Sequence, residues 1–160
     1  MSGLVNSAGA KSGIIGSTEI PGGYEEGDYT YTLPFSSSGS LTPRTGYTKL
    51  KYIKIGRMCS VFGKIETDGG SSPSGQMRLT LPFTAGACAD SSATTNSSGI
   101  TTHYRNSGLT TDDSFFDIPE NNAYGQFWRI DHDGTKNQVT DSNIDTSFEL
   151  YLNISYHTAT

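Results

Sequence analysis

The sequence predicts an all-β protein: a β-sandwich or jelly-roll knob with an extended N-terminal arm. Three observations carry this expectation. Apolar residues recur with a period of two from Gly27 onward, most clearly at Phe148, Leu150, Leu152, Ile154 and Tyr156. Turn formers separate the apolar runs, with 19 glycines among 160 residues and Ser, Thr and Asn filling much of the polar remainder. Only 17% of residues are charged while 11% are aromatic, a mixture that favours strands and starves helices of Leu, Glu and Lys. No segment has a convincing helical period. The length suits one domain, able to bury roughly 70% of the surface its unfolded chain exposes.

Residues 1–23 (MSGLVNSAGAKSGIIGSTEIPGG) differ from everything that follows. They contain no aromatic residue, are rich in glycine, and carry two small apolar pairs, Leu4-Val5 and Ile14-Ile15. Such a segment forms no core of its own. It is expected to be an attachment arm whose anchors are Leu4, Val5, Ile14 and Ile15, with residues 24–160 forming the knob domain.

The strands are read in chain order. Residues 28–35 (DYTYTLPF) place Tyr29, Tyr31 and Leu33 on one face, and Pro34 stops that strand from continuing as a central one. In residues 47–67 the apolar phase moves from Leu50 and Tyr52 to Ile53 and Ile55, which predicts a switch of face near Tyr52-Ile53. Gly56-Arg57 then breaks the run as a tight turn or bulge, before a second strand over 58–66. Residues 76–83 alternate Met77, Leu79 and Leu81 and end, like the first strand, in Leu-Pro-Phe. Residues 84–98 are small and polar and read as a long surface loop. Shorter strands are expected over 99–104, 114–118 and 124–130, and the clearest over 147–156. Roughly seven or eight short strands separated by turns point to a sandwich or jelly roll.

Two blocks carry a resemblance beyond the β pattern. One is Lys11-Ser12-Gly13-Ile14-Ile15-Gly16, leading into Tyr24-Glu25-Glu26-Gly27-Asp28-Tyr29-Thr30. The other is Tyr52-Ile53-Lys54-Ile55-Gly56-Arg57-Met58, continuing through Val61 and Gly63 to Ile65. With the later Leu81-Pro82-Phe83, they resemble a group of tailed-phage virion proteins with a β-rich knob, in which Tyr29-Thr30-Tyr31-Thr32 stands where Trp-Thr-Pro is usual. The resemblance covers the arm and the first half of the knob. It implies a surface appendage, a tail-fibre tip or a capsid-decoration protein, usually trimeric, and it names no ligand and no catalytic residue.

Charge and motif content exclude several functions. A net charge of −5 with no basic cluster argues against nucleic-acid binding, which needs a basic face. No run approaches the roughly 20 apolar residues of a membrane span, and the N-terminus lacks the pattern of a signal peptide. Cys59 and Cys88 are too few for a disulfide framework or a cysteine-built zinc site. Cys59 reads as a free buried thiol. His103, His132 and His157 lie far apart without metal-ligand spacing. Nucleophile-elbow, zinc-helix, P-loop and dinucleotide motifs are all missing from the sequence.

Three weaker features remain. Asp131-His132-Asp133-Gly134-Thr135-Lys136-Asn137 could wrap Ca²⁺ with hard oxygen ligands, but Asp-Gly after Phe127-Trp128-Arg129-Ile130 reads first as a hairpin turn. Asp112, Asp113, Asp117 and Glu120 could supply a glycosidase pair, although a solvated loop is the plainer reading. Tyr104, Tyr124, Trp128 and Tyr151 could stack on sugar rings, with Trp128 fitting the core equally well.

Taken with the resemblance, these readings lead to a non-enzymatic structural protein of a tailed phage, with no cofactor and no metal. It is expected to be a homotrimeric β-knob on the virion surface, assembled in the host cytoplasm. Its arm is expected to hold it to other virion proteins of the capsid or tail, as a decoration protein or an appendage cap. The alternative is a tail-fibre receptor-binding tip that recognises host surface glycan.

Overall fold

Gly56 and Arg57 make the two-residue turn that the sequence predicts, with Gly56 left-handed at φ 59° and Ile55 paired to Met58 across it. Around this hairpin a computed structural model, which describes residues 23–89, 95–100, 102–105 and 113–159, builds two antiparallel sheets. The predicted arm, with Leu4, Val5, Ile14 and Ile15, lies outside the described residues except for Gly23. The described strands are β1 (Tyr24–Thr30), β2 (Leu33–Pro34), β3 (Ser38–Pro43), β4 (Lys49–Ile55), β5 (Met58–Ser74), β6 (Arg78–Thr80), β7 (Thr95–Ile100), β8 (Thr102–Arg105), β9 (Asp113–Pro119), β10 (Tyr124–Ile130), β11 (Lys136–Gln138) and β12 (Glu149–His157). The first sheet runs β1-β4-β5-β12-β8, with β3 also pairing β5 and β2 pairing β3. The second runs β11-β10-β9-β7, with β6 also pairing β10. Among the described residues no helix is long and apolar enough to cross a membrane.

The two sheets enclose one core, as a sandwich requires. The predicted inward face over 147–156 is buried throughout: Phe148, just before β12, and Leu150, Leu152, Ile154 and Tyr156 within it are at most 3% exposed. Register sets Leu150 beside Ile65, Ile154 beside Val61 and Tyr156 beside Cys59 on β5. From the second sheet come Leu79, Phe116, Ile118 and Phe127, with the Phe116 and Phe127 rings edge to face at 4.8 Å. The Tyr156 hydroxyl donates to the Phe83 carbonyl at 2.9 Å, which ties the end of the second Leu-Pro-Phe run to β12. Cys59 is a buried free thiol, as expected, and burial raises its pKa.

Four details differ from the sequence reading. The predicted strand over 28–35 breaks at Tyr31-Thr32, between β1, which pairs β4, and β2, which pairs β3 in another part of the first sheet. There the Thr32 N–H donates to Thr80 Oγ1 at 2.8 Å, and the Thr80 N–H to the Thr32 carbonyl at 3.1 Å. The face does not switch at Tyr52-Ile53; Leu50, Tyr52 and Lys54 continue inward, and Ile55 is left 44% exposed. Lys54 can occupy an inward position because its ammonium lies 5.3 Å from the centre of the Phe83 ring while its stem is buried. The predicted loop over 84–98 gives way to β7 at Thr95. Finally, β3 and the far half of β5 pair through polar sequence, with only Leu41 of β3 buried. Backbone hydrogen bonds make such a pair without apolar alternation, so the pattern does not announce it.

Gly125 shows how close the core is packed, since a Cβ there would overlap the Phe116 ring, whereas one at Gly69 would meet open space. Gly125→Ala is expected to cost about 1–3 kcal/mol or more by overpacking, and Gly69→Ala to change stability by less than about 1 kcal/mol. Urea titration of both variants checks the contrast.

Candidate functional site

On the second sheet, residues that point away from the core make a polar and aromatic face. Period-two alternation turns Phe116 and Phe127 inward, and therefore turns Phe115 and Asp117 of β9, and Gln126 and Trp128 of β10, outward. Register places Trp128 opposite Phe115 and Gln126 opposite Asp117. The Phe115 and Trp128 rings lie nearly parallel, 13° apart, with centroids 6.5 Å apart. Lys136 of β11 extends across both, its ammonium 3.9 Å from the Trp128 ring centre and 5.1 Å from that of Phe115. The same ammonium reaches Asp117 Oδ2 at 3.3 Å. Further along, the Arg78 guanidinium sits 4.3 Å over the Tyr124 ring.

Asp117 is only 5% exposed, although its position on β9 faces outward. Its Oδ1 and the Trp128 indole N–H are buried without a hydrogen-bond partner among the described residues. One lysine therefore both neutralises a buried carboxylate and covers an aromatic floor. A cation over an aromatic ring contributes about 0.5–2 kcal/mol, more as it is desolvated. Because the Lys136 ammonium lies over both rings and Asp117 is almost wholly buried, the aromatic floor opens only when the Lys136 side chain swings aside. So opened, it would suit a hydroxylated ring, whose apolar face stacks on an aromatic one.

A second charged cluster lies on the first sheet and was not anticipated from sequence. Glu66 and Glu149 are direct cross-strand partners, a like-charge pairing that is unfavourable unless neutralised. Lys64 bridges them, 2.8 Å from Glu66 Oε2 and 3.0 Å from Glu149 Oε2, and Arg44 pairs with the other oxygen of Glu66. Lys64 also lies 4.7 Å over the Tyr47 ring. A cavity of about 150 Å³ opens here between Arg44, Glu66, Asp68 and Glu149. The Lys64 hydrogen bond holds the Glu66 carboxyl below its ordinary range, and Arg44 adds to this against the opposing effect of burial. A glycosidase acid needs the opposite shift. The only sequence signal for the pair was Glu149 in the outward phase of the clearest strand.

The other candidates fall as follows. Residues 131–137 form the β10–β11 hairpin turn (131–135) and the start of β11, with Gly134 at φ 81° and its N–H donating to the Asp131 carbonyl at 2.8 Å. The Asp131 carboxylate accepts from the Asn137 amide at 2.8 Å, and that of Asp133 from the Thr135 N–H at 2.9 Å. Of the four acids proposed for a pair, Asp117 is held by Lys136 and Glu120 accepts the Cys88 N–H at 2.8 Å. Asp112 lies outside the described residues, as do the side chains of Asp113, His103 and Tyr104. Trp128 and Tyr124 share the outer face of the second sheet, whereas Tyr151 is 49% exposed on the first. His132 is exposed in the turn, and His157 closes β12 half-buried.

No protein-family model matches the sequence, and no curated protein matches it. The fold is similar to part of a solved structure, the crystal structure of Dettilon tailspike protein (gp208), with a TM-score of 0.65 and 15% identity. The similarity covers 84% of this chain and 24% of that one, so the chain spans about a quarter of that protein's length.

Two outcomes follow from the charged clusters. Lys136→Met strands the buried Asp117 carboxylate and is expected to destabilise by about 1–3 kcal/mol. Asp117→Asn combined with Lys136→Met should recover most of that loss, read by chemical denaturation of the single and double variants. The depressed Glu66 carboxyl binds a proton more readily in the unfolded chain than in the fold. Its contribution is therefore present above the ordinary glutamate range, about pH 4.3, and is lost as pH falls through the lower folded value. The Tm of Glu66→Gln should fall less steeply than that of the parent between about pH 5 and 3.

Proposed function

We propose that this protein is a non-catalytic structural domain of a tailed-phage tail appendage, a trimeric β-knob held on the particle surface by its N-terminal arm. The observation that carries the reading is the shared fold, in which 84% of the chain superposes on part of a tailspike protein. The arm and strand blocks that resemble phage knobs support the same reading independently. A tailspike relative of the fold favours a tail position over capsid decoration. Non-catalytic character is supported by the state of the carboxylates. Asp117 is already paired with Lys136, and Glu66 is pushed away from the protonated form that an acid catalyst uses.

A second reading rests on its own observation. The floor formed by Phe115 and Trp128, covered by Lys136, offers a pyranose ring a stacking surface once that lysine swings aside, and would make the knob a receptor-binding tip for host surface glycan.

Light scattering of the full chain at micromolar concentration is expected to give about three times 17.1 kDa; a clean monomer sinks the trimer. A chain starting at Gly23 should melt within a few degrees of the parent and yet fail to join particles that lack the protein. Normal incorporation of that truncated chain would remove the arm as anchor. In the glycan reading, Trp128→Ala lowers binding to host surface polysaccharide roughly tenfold, with the oligomer intact; no binding by the parent protein rejects it.

A further inference from the structure

The outer face of the first sheet leaves a row of apolar side chains uncovered. Tyr24, Ile55 and Met58 are 49%, 44% and 52% exposed. Register makes them one cross-strand row, Tyr24 opposite Ile55 and Ile55 opposite Met58. Beside the row, Ile53 and Phe62 are half-buried and line a groove of about 380 Å³ bordered by Glu26, Asp28 and Lys51. Lys51 offsets Asp28 at 2.8 Å. Glu26 accepts the Tyr24 hydroxyl at 2.5 Å, and its charge is not matched by an ion pair among the described residues.

The chain outside the described residues joins the sandwich at this row. Gly23, left-handed at φ 71°, accepts the Gly56 N–H on its carbonyl at 2.8 Å, so residues 1–22 connect beside Tyr24 and Ile55. That segment contains one basic residue, Lys11, three positions before the apolar pair Ile14-Ile15.

We propose that residues 11–16 of the same chain dock in this groove, with Ile14 and Ile15 against Ile53, Ile55 and Phe62, and Lys11 facing Glu26. Length permits it. The chain from Ile15 to Gly23 spans up to roughly 26–29 Å when extended, and Ile53 is only about 7 Å along the strand from Ile55. Gly13 and Gly16 flank the pair, so the backbone can approach the sheet closely. Tethering raises the local concentration of the segment to the order of millimolar, which favours its own groove. A second copy packed on this face would bring another Glu26 with it, its Asp28 already offset by Lys51, whereas Lys11 supplies the opposite sign. Contact with the particle then falls to the segment before Lys11, with Leu4 and Val5.

The test uses the purified full chain without particles, so it is independent of the attachment reading. In a Cys88→Ser background, Ile14→Cys with Ile53→Cys should form an intramolecular disulfide under mild oxidation, at least ~10-fold faster than Ile14→Cys with Ile130→Cys. Ile130 is a comparably exposed control, at 39%, on the other sheet. Equal rates, or linkage only between chains, overturn the proposal. If the cysteine at position 53 prevents folding, the methyl resonance of Met58 gives the second readout. Ile14→Asp with Ile15→Asp should shift it in the full chain, and an unchanged resonance overturns the proposal. A resonance that responds to dilution but not to these substitutions assigns the face to a second copy, and equally overturns it.

Discussion

The register between β5 and β12 is the constraint on which the rest of the molecule depends. Nine consecutive pairs, from Glu149 with Glu66 to His157 with Met58, join the two strands at the middle of the first sheet. Side chains alternate with a period of two, so a slip of one residue would expose Leu150, Leu152, Ile154 and Tyr156 together and bury their polar neighbours. Burial at roughly 1.5–3 kcal/mol per large apolar side chain makes that slip prohibitive. The same register forces Glu149 and Glu66 into direct opposition, and the Lys64–Arg44 cluster is what makes it tolerable. A charged network here is a consequence of core packing.

Lysine placement repeats a single solution in three settings. Lys54, Lys64 and Lys136 each lie over an aromatic ring, and the latter two also neutralise a carboxylate. A long apolar stem lets the residue cover hydrophobic surface while its ammonium finds a ring or an anion. In a chain with few charges this gives each of these three lysines a defined partner. It also separates the two outer faces. The second sheet carries its aromatic residues under a cation, edged by Asp117, while the first leaves Tyr24, Ile55 and Met58 bare. A surface of the first kind would suit a small hydroxylated ligand only with Lys136 swung aside. The second kind suits polypeptide, because apolar side chains without convergent polar groups select for burial more than for a particular hydrogen-bonding pattern.

Strands whose alternation reports one buried face were legible in the residues alone. Over 147–156, and in Met77, Leu79 and Leu81, apolar period and burial agree because each second residue must leave water. Gly56-Arg57 and Asp133-Gly134 were legible as turns because their backbone requirements are local. The rest depended on contacts between strands distant in the chain. Lys54 occupies an inward position that looks polar in sequence, since the Phe83 ring that receives it lies far along the chain. Ile55 looks like core and is surface, because the strand keeps its phase through Tyr52. Trp128 fitted core and surface equally until pairing with Phe115 fixed its face. The Glu66–Glu149 pair and the Asp117–Lys136 contact join residues far apart in the chain, and no local pattern encodes a cross-strand register. Periodicity records which side of a strand meets water; which distant side chain it meets there depends on how the two sheets close.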